Sequence, residues 1–393
     1  MKLKIAIVSP IFSDKISGGS EKHAFHFANL LKEKYEVSIL TTQALNYQTW
    51  KNEFHPELNL GFKIHRFKNK STRSISQFNK LHSKLIQKKS AITEKEMNEW
   101  IVAQGPNSPD LINFIVENSA NYDVFLFMTY LYYPTIYGIE NVKNKSILVP
   151  TLHDEASAYF PIFKKIFTNE LTYSFNTIEE YLLFKKIFSY APKKFSIVGM
   201  NIEPVKNFEA KKIDFDFILY IGRIDSGKGI DTLIEFFLNW KTKFGSELKL
   251  VFIGGGKIKN SEHLKNTSLR FTGFISEEEK LNYIQQCTLF LNPSSVESFS
   301  ISIMEAWMQE KAILVNAESD VMKEHCNRSN GGLYYSDSES FALSLNYLLD
   351  NPQKRSAMGK NGFAYVQKNY TKERVQEKLF QLVESVASTK IIL

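Results

Sequence analysis

Cys287-Thr-Leu-Phe-Leu-Asn-Pro-Ser-Ser-Val-Glu-Ser-Phe-Ser-Ile-Ser-Ile-Met-Glu305 reads as a strand, a turn and a helix in direct succession. The apolar run Cys287–Leu291 is long enough for a buried strand, Pro293 and the serines break it, and a helix is expected to open near Ser298. Glu297 stands in the loop before that helix and Glu305 about seven residues inside it, roughly 10 Å further along the axis. The free N–H groups of a first helical turn favour an anion between them. A carboxylate, an anion cradle and a second carboxylate in line would suit a sugar, a diphosphate and a ribose. Alternatively, Glu305 is a solvated helix residue and Ser298 a plain N-cap.

The same strand–turn–helix unit recurs on both sides of this stretch. Upstream, strand candidates are Lys4–Ser9, Val37–Thr42, Phe62–Arg66, Asp123–Met128 and Ser146–Pro150, and Glu21–Lys34 has helical apolar spacing. In the second half, Phe217–Ile221, Leu248–Ile253, Arg270–Phe274, Thr288–Leu291 and Ala312–Val315 repeat the scheme. Several of these strands are apolar throughout, as expected where both faces of a parallel sheet are covered. The fold class expected is therefore α/β, two doubly wound Rossmann-like domains facing across a cleft. A chain of 393 residues also exceeds one ordinary core. The seam is expected near Val198–Phe208, giving an N-terminal domain over 1–200 and a C-terminal one over 201–371.

Composition narrows the class further. With 43% hydrophobic and 23% charged residues the chain is globular, and no window of eighteen uninterrupted apolar residues predicts a membrane span. The opening Met1–Pro10 reads as a buried strand rather than a signal peptide. Two cysteines, Cys287 and Cys326, are too few for a disulfide framework or a zinc site, which fits a reducing, cytoplasmic setting. Between Lys63 and Ser90 lie nine Lys/Arg and no acid, with Leu81, Leu85 and Ile86 as a thin apolar stripe. This run is a solvated basic face, a patch for an anionic membrane at the inner face of the cell membrane, or a nucleic-acid contact. The scarcity of aromatics suited to stacking speaks against nucleic acid.

In Tyr220-Ile-Gly-Arg-Ile-Asp-Ser-Gly-Lys-Gly229, Arg223 and Lys228 stand between a strand end and the helix Ile230–Trp240. Two cations in a glycine-punctuated loop suit a diphosphate, the Arg as a planar fork and the Lys as a point charge. The alternative is a surface loop in which Asp225 and Asp231 pair with them. Ile253-Gly-Gly-Gly-Lys257 is neither a dinucleotide fingerprint nor a P-loop, and its glycines admit a chain segment or a ligand. Phe274, in Gly273-Phe-Ile275, either flanks a base or belongs to the core. In the first half, Ile16–Glu21 carries Gly18 and Gly19 to the start of a helix over Lys22–Lys34, which is anion-tolerant or simply a turn. His153, followed by Asp154, lies just past a strand, where it either orients an acceptor hydroxyl and stabilises developing charge or is incidental.

With these residues in place, the chain resembles the retaining glycosyltransferases of family 4, which have the two-domain GT-B fold. The likeness rests on Gly222-Arg223 with Lys228-Gly229, the Gly254–Gly256 turn, Pro293-Ser294, the Glu-x-seven-Glu pair Glu297 and Glu305, and in the first half Gly18–Glu21 and His153-Asp154. The resemblance implies that Arg223 and Lys228 hold the donor diphosphate, Glu305 the ribose, Glu297 the sugar ring, and the amides of Phe299 and Ser300 the phosphates. It further implies that His153 lies near the anomeric centre and that Gly19 closes over the donor. A nucleotide-sugar donor, a glycan or lipid-linked acceptor, transfer of a hexose with retention, no bound metal or other cofactor and no nucleic-acid partner follow from the same likeness. So does a C-terminal helix, about 372–393, returning to the first domain. Asp214-Phe-Asp216 looks like the metal site of another class of sugar transferases, but its place before a strand marks it as a solvated entry. Two departures stand out: Ser298 and Ser300 replace common glycines, and Glu310 replaces a helix-ending glycine. A sugar-nucleotide 2-epimerase and a non-catalytic nucleotide-sugar-binding protein are the alternatives.

Overall fold

Ile5, Ala6, Ile7 and Val8 are all fully buried in the computed structural model, which describes residues 2–13, 18–53, 60–88, 91–204 and 208–388. They belong to β1 (Lys4–Ser9), whose side chains alternate between two cores. Ile5 and Ile7 enter one cluster, Ala6 and Val8 the other. An uninterrupted apolar run is what a strand needs when both faces are covered. The partner strands are β2 (Glu36–Thr42), β3 (Lys63–Phe67), β4 (Val124–Met128), β5 (Ser146–Val149), β6 (Thr172–Phe175) and β7 (Phe195–Ile197). They form one parallel sheet in the order β3-β2-β1-β4-β5-β6-β7. The helices of this part are α1 (Gly19–Leu31), α2 (Ile75–Lys88), α3 (Glu94–Gln104), α4 (Pro109–Glu117), α5 (Tyr133–Ile139), α6 (Pro161–Ile166) and α7 (Ile178–Phe188).

The second sheet has β8 (Phe217–Ile221), β9 (Lys249–Ile253), β10 (Leu269–Phe271), β11 (Leu289–Asn292), β12 (Ile313–Asn316) and β13 (Gly332–Tyr335) in the order β10-β9-β8-β11-β12-β13, again parallel. Its helices are α8 (Ile230–Phe244), α9 (Glu277–Gln286), α10 (Ile301–Trp307), α11 (Asp320–Ser329), α12 (Ser338–Asp350) and α13 (Pro352–Asn369). Both sheets are doubly wound α/β sheets of the Rossmann type. The chain divides into unit 1, Met1–Asn201 with Glu373–Leu393, and unit 2, Ile202–Lys372.

The last helix, α14 (Lys372–Ser388), supplies unit 1 with Val375, Leu379, Leu382, Val383 and Val386, which join the cluster of Ile5, Ile7 and Phe27. Their i, i+4, i+7, i+8, i+11 spacing makes one apolar stripe. Each such side chain contributes about 1.5–3 kcal/mol when fully buried, so α14 is integral to unit 1.

Several sequence expectations shift on the structure. Helix α1 opens at Gly19, three residues before Lys22. The helix expected near Ser298 opens at Ile301, because Ser300 takes a left-handed conformation (φ 65°) and ends the preceding loop there. The strand expected over Arg270–Phe274 ends at Phe271, since the chain turns at Gly273 (φ 72°) and leaves Phe274 79% exposed, not in the core. Strands β6, β7 and β13 are short and carry polar or small residues, which hid them. Among the described residues no helix is long and apolar enough to cross a membrane.

The basic run 63–90 is also corrected in part, with Lys89 and Ser90 lying outside the described residues. Leu85 is fully buried, and Leu81 and Ile86 pack on the same core, so the apolar stripe faces inward. Arg66 donates to the Phe12 carbonyl, and Arg73 donates to the Tyr47 carbonyl and the Gln104 side chain while lying over the Phe78 ring. Lys84 and Lys88 both reach Glu96, at 3.1 and 2.5 Å. Arg66, Arg73, Lys84 and Lys88 are therefore engaged within unit 1, whereas Lys63, Lys68, Lys70 and Lys80 remain exposed.

Candidate functional site

In unit 2, two loops are locked together by glycines. Gly222 N–H donates to the Ile253 carbonyl, Ile224 N–H to Gly255 and Lys257 N–H to Ile224. A Cβ on Gly254 would collide with the Gly222 carbonyl and one on Gly256 with the Ile224 carbonyl, and both glycines have positive φ. The triple glycine thus admits a neighbouring chain segment, the first of the two alternatives read from the sequence. Phe274 packs its ring against Gly255 while remaining exposed.

Beyond this zipper the cation loop is stiffened by its own acid. Asp225 accepts from the Lys228 N–H at 3.1 Å and caps a short 3-10 turn, Ser226–Lys228, ahead of α8. At Gly229 (φ 72°) a Cβ would sit 2.6 Å from the Pro293 carbonyl, so the Lys228 loop and the loop after β11 lie against each other. That contact brings Lys228 Nζ to 2.8 Å from Glu297 Oε1, with both side chains mostly shielded. Arg223 is largely exposed, its Nε 3.6 Å from Asp225 Oδ2. Asp231 instead accepts from Ser226 Oγ and the Lys259 N–H. The surface-pairing alternative therefore holds for Arg223 with Asp225 but not for Lys228.

The loop carrying Glu297 is braced from within. Asn292 donates to Ser300 Oγ and accepts from the Ser294 N–H, Ser294 Oγ donates to the Val296 carbonyl, and Asn316 donates to the Pro293 carbonyl. Phe299 is buried edge-on to Tyr370 at 5.0 Å. Phe299 and Ser300 lie before the first turn of α10, which has only seven residues. The dipole of so short a helix adds little, and the two cations dominate the local field.

Glu305, on α10, meets a residue that sequence reasoning missed. Lys280 of α9 places Nζ 3.2 Å from both Glu305 oxygens and 2.6 Å from Glu277. Lys280 and Glu305 are 10% and 16% exposed. Burial pulls the Lys280 ammonium down, but Glu305 and Glu277 outweigh it and hold its pKa above the ordinary value. In sequence, Glu277-Glu-Glu-Lys280 reads as a solvated helix start, and nothing there marks Lys280 as inward-facing.

In unit 1, Gly18 is the N-cap of α1, and a Cβ on it would overlap the Glu21 carboxylate. The helix start is therefore covered by the protein's own acid, and an incoming anion would have to displace Glu21. Ser20 links Glu21 to Tyr47. Ile16 and Ser17 lie outside the described residues. His153 is half-buried in the loop after β5, and the residue before it, Leu152, donates its N–H to Glu180 Oε1 at 2.6 Å. Glu180 is fully enclosed, also accepts from the Asn176 N–H, and is pushed up to about 8 by burial against the opposing pull of those two bonds. Asp154 accepts from Tyr159 and Lys186 at the surface. Asp214 pairs with Lys212 at the amino end of β8. Among the described residues no group of three or more His, Cys, Asp or Glu is placed to hold a metal ion.

Ser300 (φ 65°) and Glu310 (φ 53°) both adopt the left-handed conformation that glycine adopts without strain. That is the physical sense of the departures at Ser300 and Glu310, whereas Ser298 does not adopt a positive φ. The chain keeps the backbone shape and bears the strain.

Residues 201–365 match the family of glycosyl transferases group 1. The matched segment contains Arg223, Lys228, Lys280, Glu297 and Glu305. The chain is also similar to an uncharacterized glycosyltransferase of Methanocaldococcus jannaschii, 23% identical over 66% of this chain and 75% of that protein. A Campylobacter jejuni N-acetylgalactosaminyltransferase, named for a diphospho-undecaprenol substrate, is 29% identical over 43% of this chain and 48% of its own length. In three dimensions, sucrose-phosphate synthase from Thermosynechococcus elongatus matches with a TM-score of 0.73 at 16% identity, covering 99% of this chain and 100% of that one. The fold is GT-B. These likenesses support a glycosyltransferase. The epimerase alternative gains no support from them.

Proposed function

We propose that this protein transfers a hexose from a nucleotide-diphosphate sugar, GDP-mannose or a UDP-sugar, to a glycan or lipid-linked acceptor with retention of configuration, in assembly of a cell-surface polysaccharide or glycolipid. The observation that carries this reading is the Lys228–Glu297 contact, 2.8 Å, which joins two loops of the family-matched segment and so supports a diphosphate site at the cation next to a sugar site at the acid. Arg223 and Lys228 receive the diphosphate, and Glu297 turns from Lys228 to the sugar hydroxyls as the donor enters. Glu305, steadied by Lys280, accepts from the ribose hydroxyls. Phe299 and Ser300 offer backbone amides to the phosphates, and Phe274 lies toward the base.

Transfer breaks the bond from the anomeric carbon to the phosphate oxygen and forms one to the acceptor oxygen on the same face. The departing phosphate takes the acceptor proton. Charge builds on the diphosphate, and the two cations stabilise it, so the step is proposed to run without a bound metal. In unit 1, His153 would stabilise charge near the anomeric carbon, and Gly18 and Gly19 would close over the donor once Glu21 moves aside. Two buried free cysteines, Cys287 and Cys326, are consistent with a reducing, cytoplasmic compartment. The C. jejuni relative's diphospho-undecaprenol substrate favours a polyprenyl-linked acceptor here.

The test is transfer from a panel of GDP- and UDP-sugars to polyprenyl-diphosphate sugars, with the anomeric configuration read by NMR. An α-linked product from an α-linked donor is expected. Inversion would overturn the retaining assignment, and tight donor binding with neither transfer nor hydrolysis would favour a binding protein.

A further inference from the structure

In unit 1, helix α7 and the edge strand β7 make a face that is both apolar and basic. Ile178 and Leu182, one turn apart, are 48% and 51% exposed, and Phe195 at the start of β7 is 39% exposed. The face is continuous: Tyr181 stacks on Phe195 at 4.5 Å, and Lys185 Nζ lies 5.5 Å from the Tyr181 ring centre. Lys186 follows on the same helix, and Lys193 and Lys194 lead into β7, all of them exposed. The acids near these four lysines include Asp154, which pairs with Lys186 at 2.9 Å, Glu179 at the helix start, and exposed Glu170, next to the Asn169 that accepts from the Lys193 N–H.

We propose that this α7–β7 face docks the protein on an anionic lipid surface. Half-exposed aliphatic side chains beside lysines suit the boundary between acyl chains and charged headgroups. The two aromatic rings of the face, Tyr181 and Phe195, are stacked on each other at 4.5 Å and its most exposed apolar side chains, Ile178 and Leu182, are aliphatic, which disfavours base stacking and hence nucleic acid. A second copy is disfavoured by charge, because a two-fold contact through this face would set lysines against lysines, and lysines on an edge strand resist edge-to-edge pairing. Helix α12 of unit 2 also exposes Leu343 and Tyr347 but carries no lysine, so it lacks this complementarity. The 63–90 run lacks this pairing of apolar and basic side chains, because Leu81, Leu85 and Ile86 pack on the core while lysines such as Lys68 and Lys80 remain exposed.

The experiment is co-sedimentation of the full chain with phosphatidylcholine vesicles, with and without phosphatidylglycerol. Binding is expected only to the anionic vesicles and is expected to fall at high salt. The Lys185→Gln/Lys194→Gln double variant should lower partitioning roughly ten-fold or more. Leu182→Ser should lower it as well, whereas Lys68→Gln/Lys80→Gln should bind like wild type. All these positions are exposed, and circular dichroism and the thermal midpoint check that each variant is folded. Failure of the wild type to bind would overturn the proposal, as would equal binding to both vesicles or α7–β7 variants that bind unchanged. A dimer in light scattering that Leu182→Glu dissociates would instead assign the face to a second copy.

Discussion

Replacing Lys280 by Met removes the cation between α9 and α10 and leaves the Glu305 carboxylate without it. At 3.2 Å and an effective dielectric near 20, the pair attraction is about 5 kcal/mol before desolvation is counted. Breaking a fully buried pair costs about 3–5 kcal/mol and an exposed one about 0–1. Side chains 10% and 16% exposed lie nearer the buried limit, so Lys280→Met should cost roughly 2–4 kcal/mol. The pH dependence follows from the raised Lys280 pKa: its contribution is complete at neutral pH and is lost as pH rises through its folded value, above the ordinary 10.4 or so. Urea melts of the full chain at neutral pH and at about pH 11, with Glu305→Gln and the double variant, complete the cycle. The double variant should regain at least half of the loss. A single variant within about 0.5 kcal/mol of wild type, or a double variant as unstable as the two losses added, would refute the reasoning.

Gly256→Ala should cost roughly 2–4 kcal/mol, seen as a lowered urea midpoint, because the methyl meets the Ile224 carbonyl at a positive φ. Glu310→Gly should stabilise by about 0.5–1 kcal/mol in the same assay, since relief of left-handed strain exceeds the added chain entropy. Glu180→Gln at neutral pH removes one acceptor for the Leu152 and Asn176 N–H groups and should cost about 1–3 kcal/mol. In wild type the contribution of Glu180 should be complete below its unfolded pKa and decline as pH rises toward about 8, which thermal melts across that range would show.

The alternation of strand and helix was legible because β1, β4, β8 and β11 are buried on both faces and cannot tolerate polar residues. Strands such as Thr172–Phe175 and Phe195–Ile197 lie toward or at a sheet edge, are only three or four residues long and carry no such signature. The site's cations and acids were visible as residue types, but their pairing was not. Lys228 meets Glu297 across 69 residues of chain because Gly229 abuts Pro293, a contact that periodicity does not encode. Lys280 was hidden for the same reason. The basic run was legible only in part, because charge counting cannot tell Arg73 clasped over Phe78 from an exposed lysine such as Lys80.

The central claim is that unit 2 grips a nucleoside diphosphate with Arg223 and Lys228. Titration calorimetry of the folded chain with UDP and with GDP tests it most directly. One of the two should bind at a single site, and Arg223→Ala or Lys228→Ala should each weaken it at least ten-fold, about 1.4 kcal/mol. Absence of heat with both nucleotides, or affinity indifferent to both substitutions, would contradict the account.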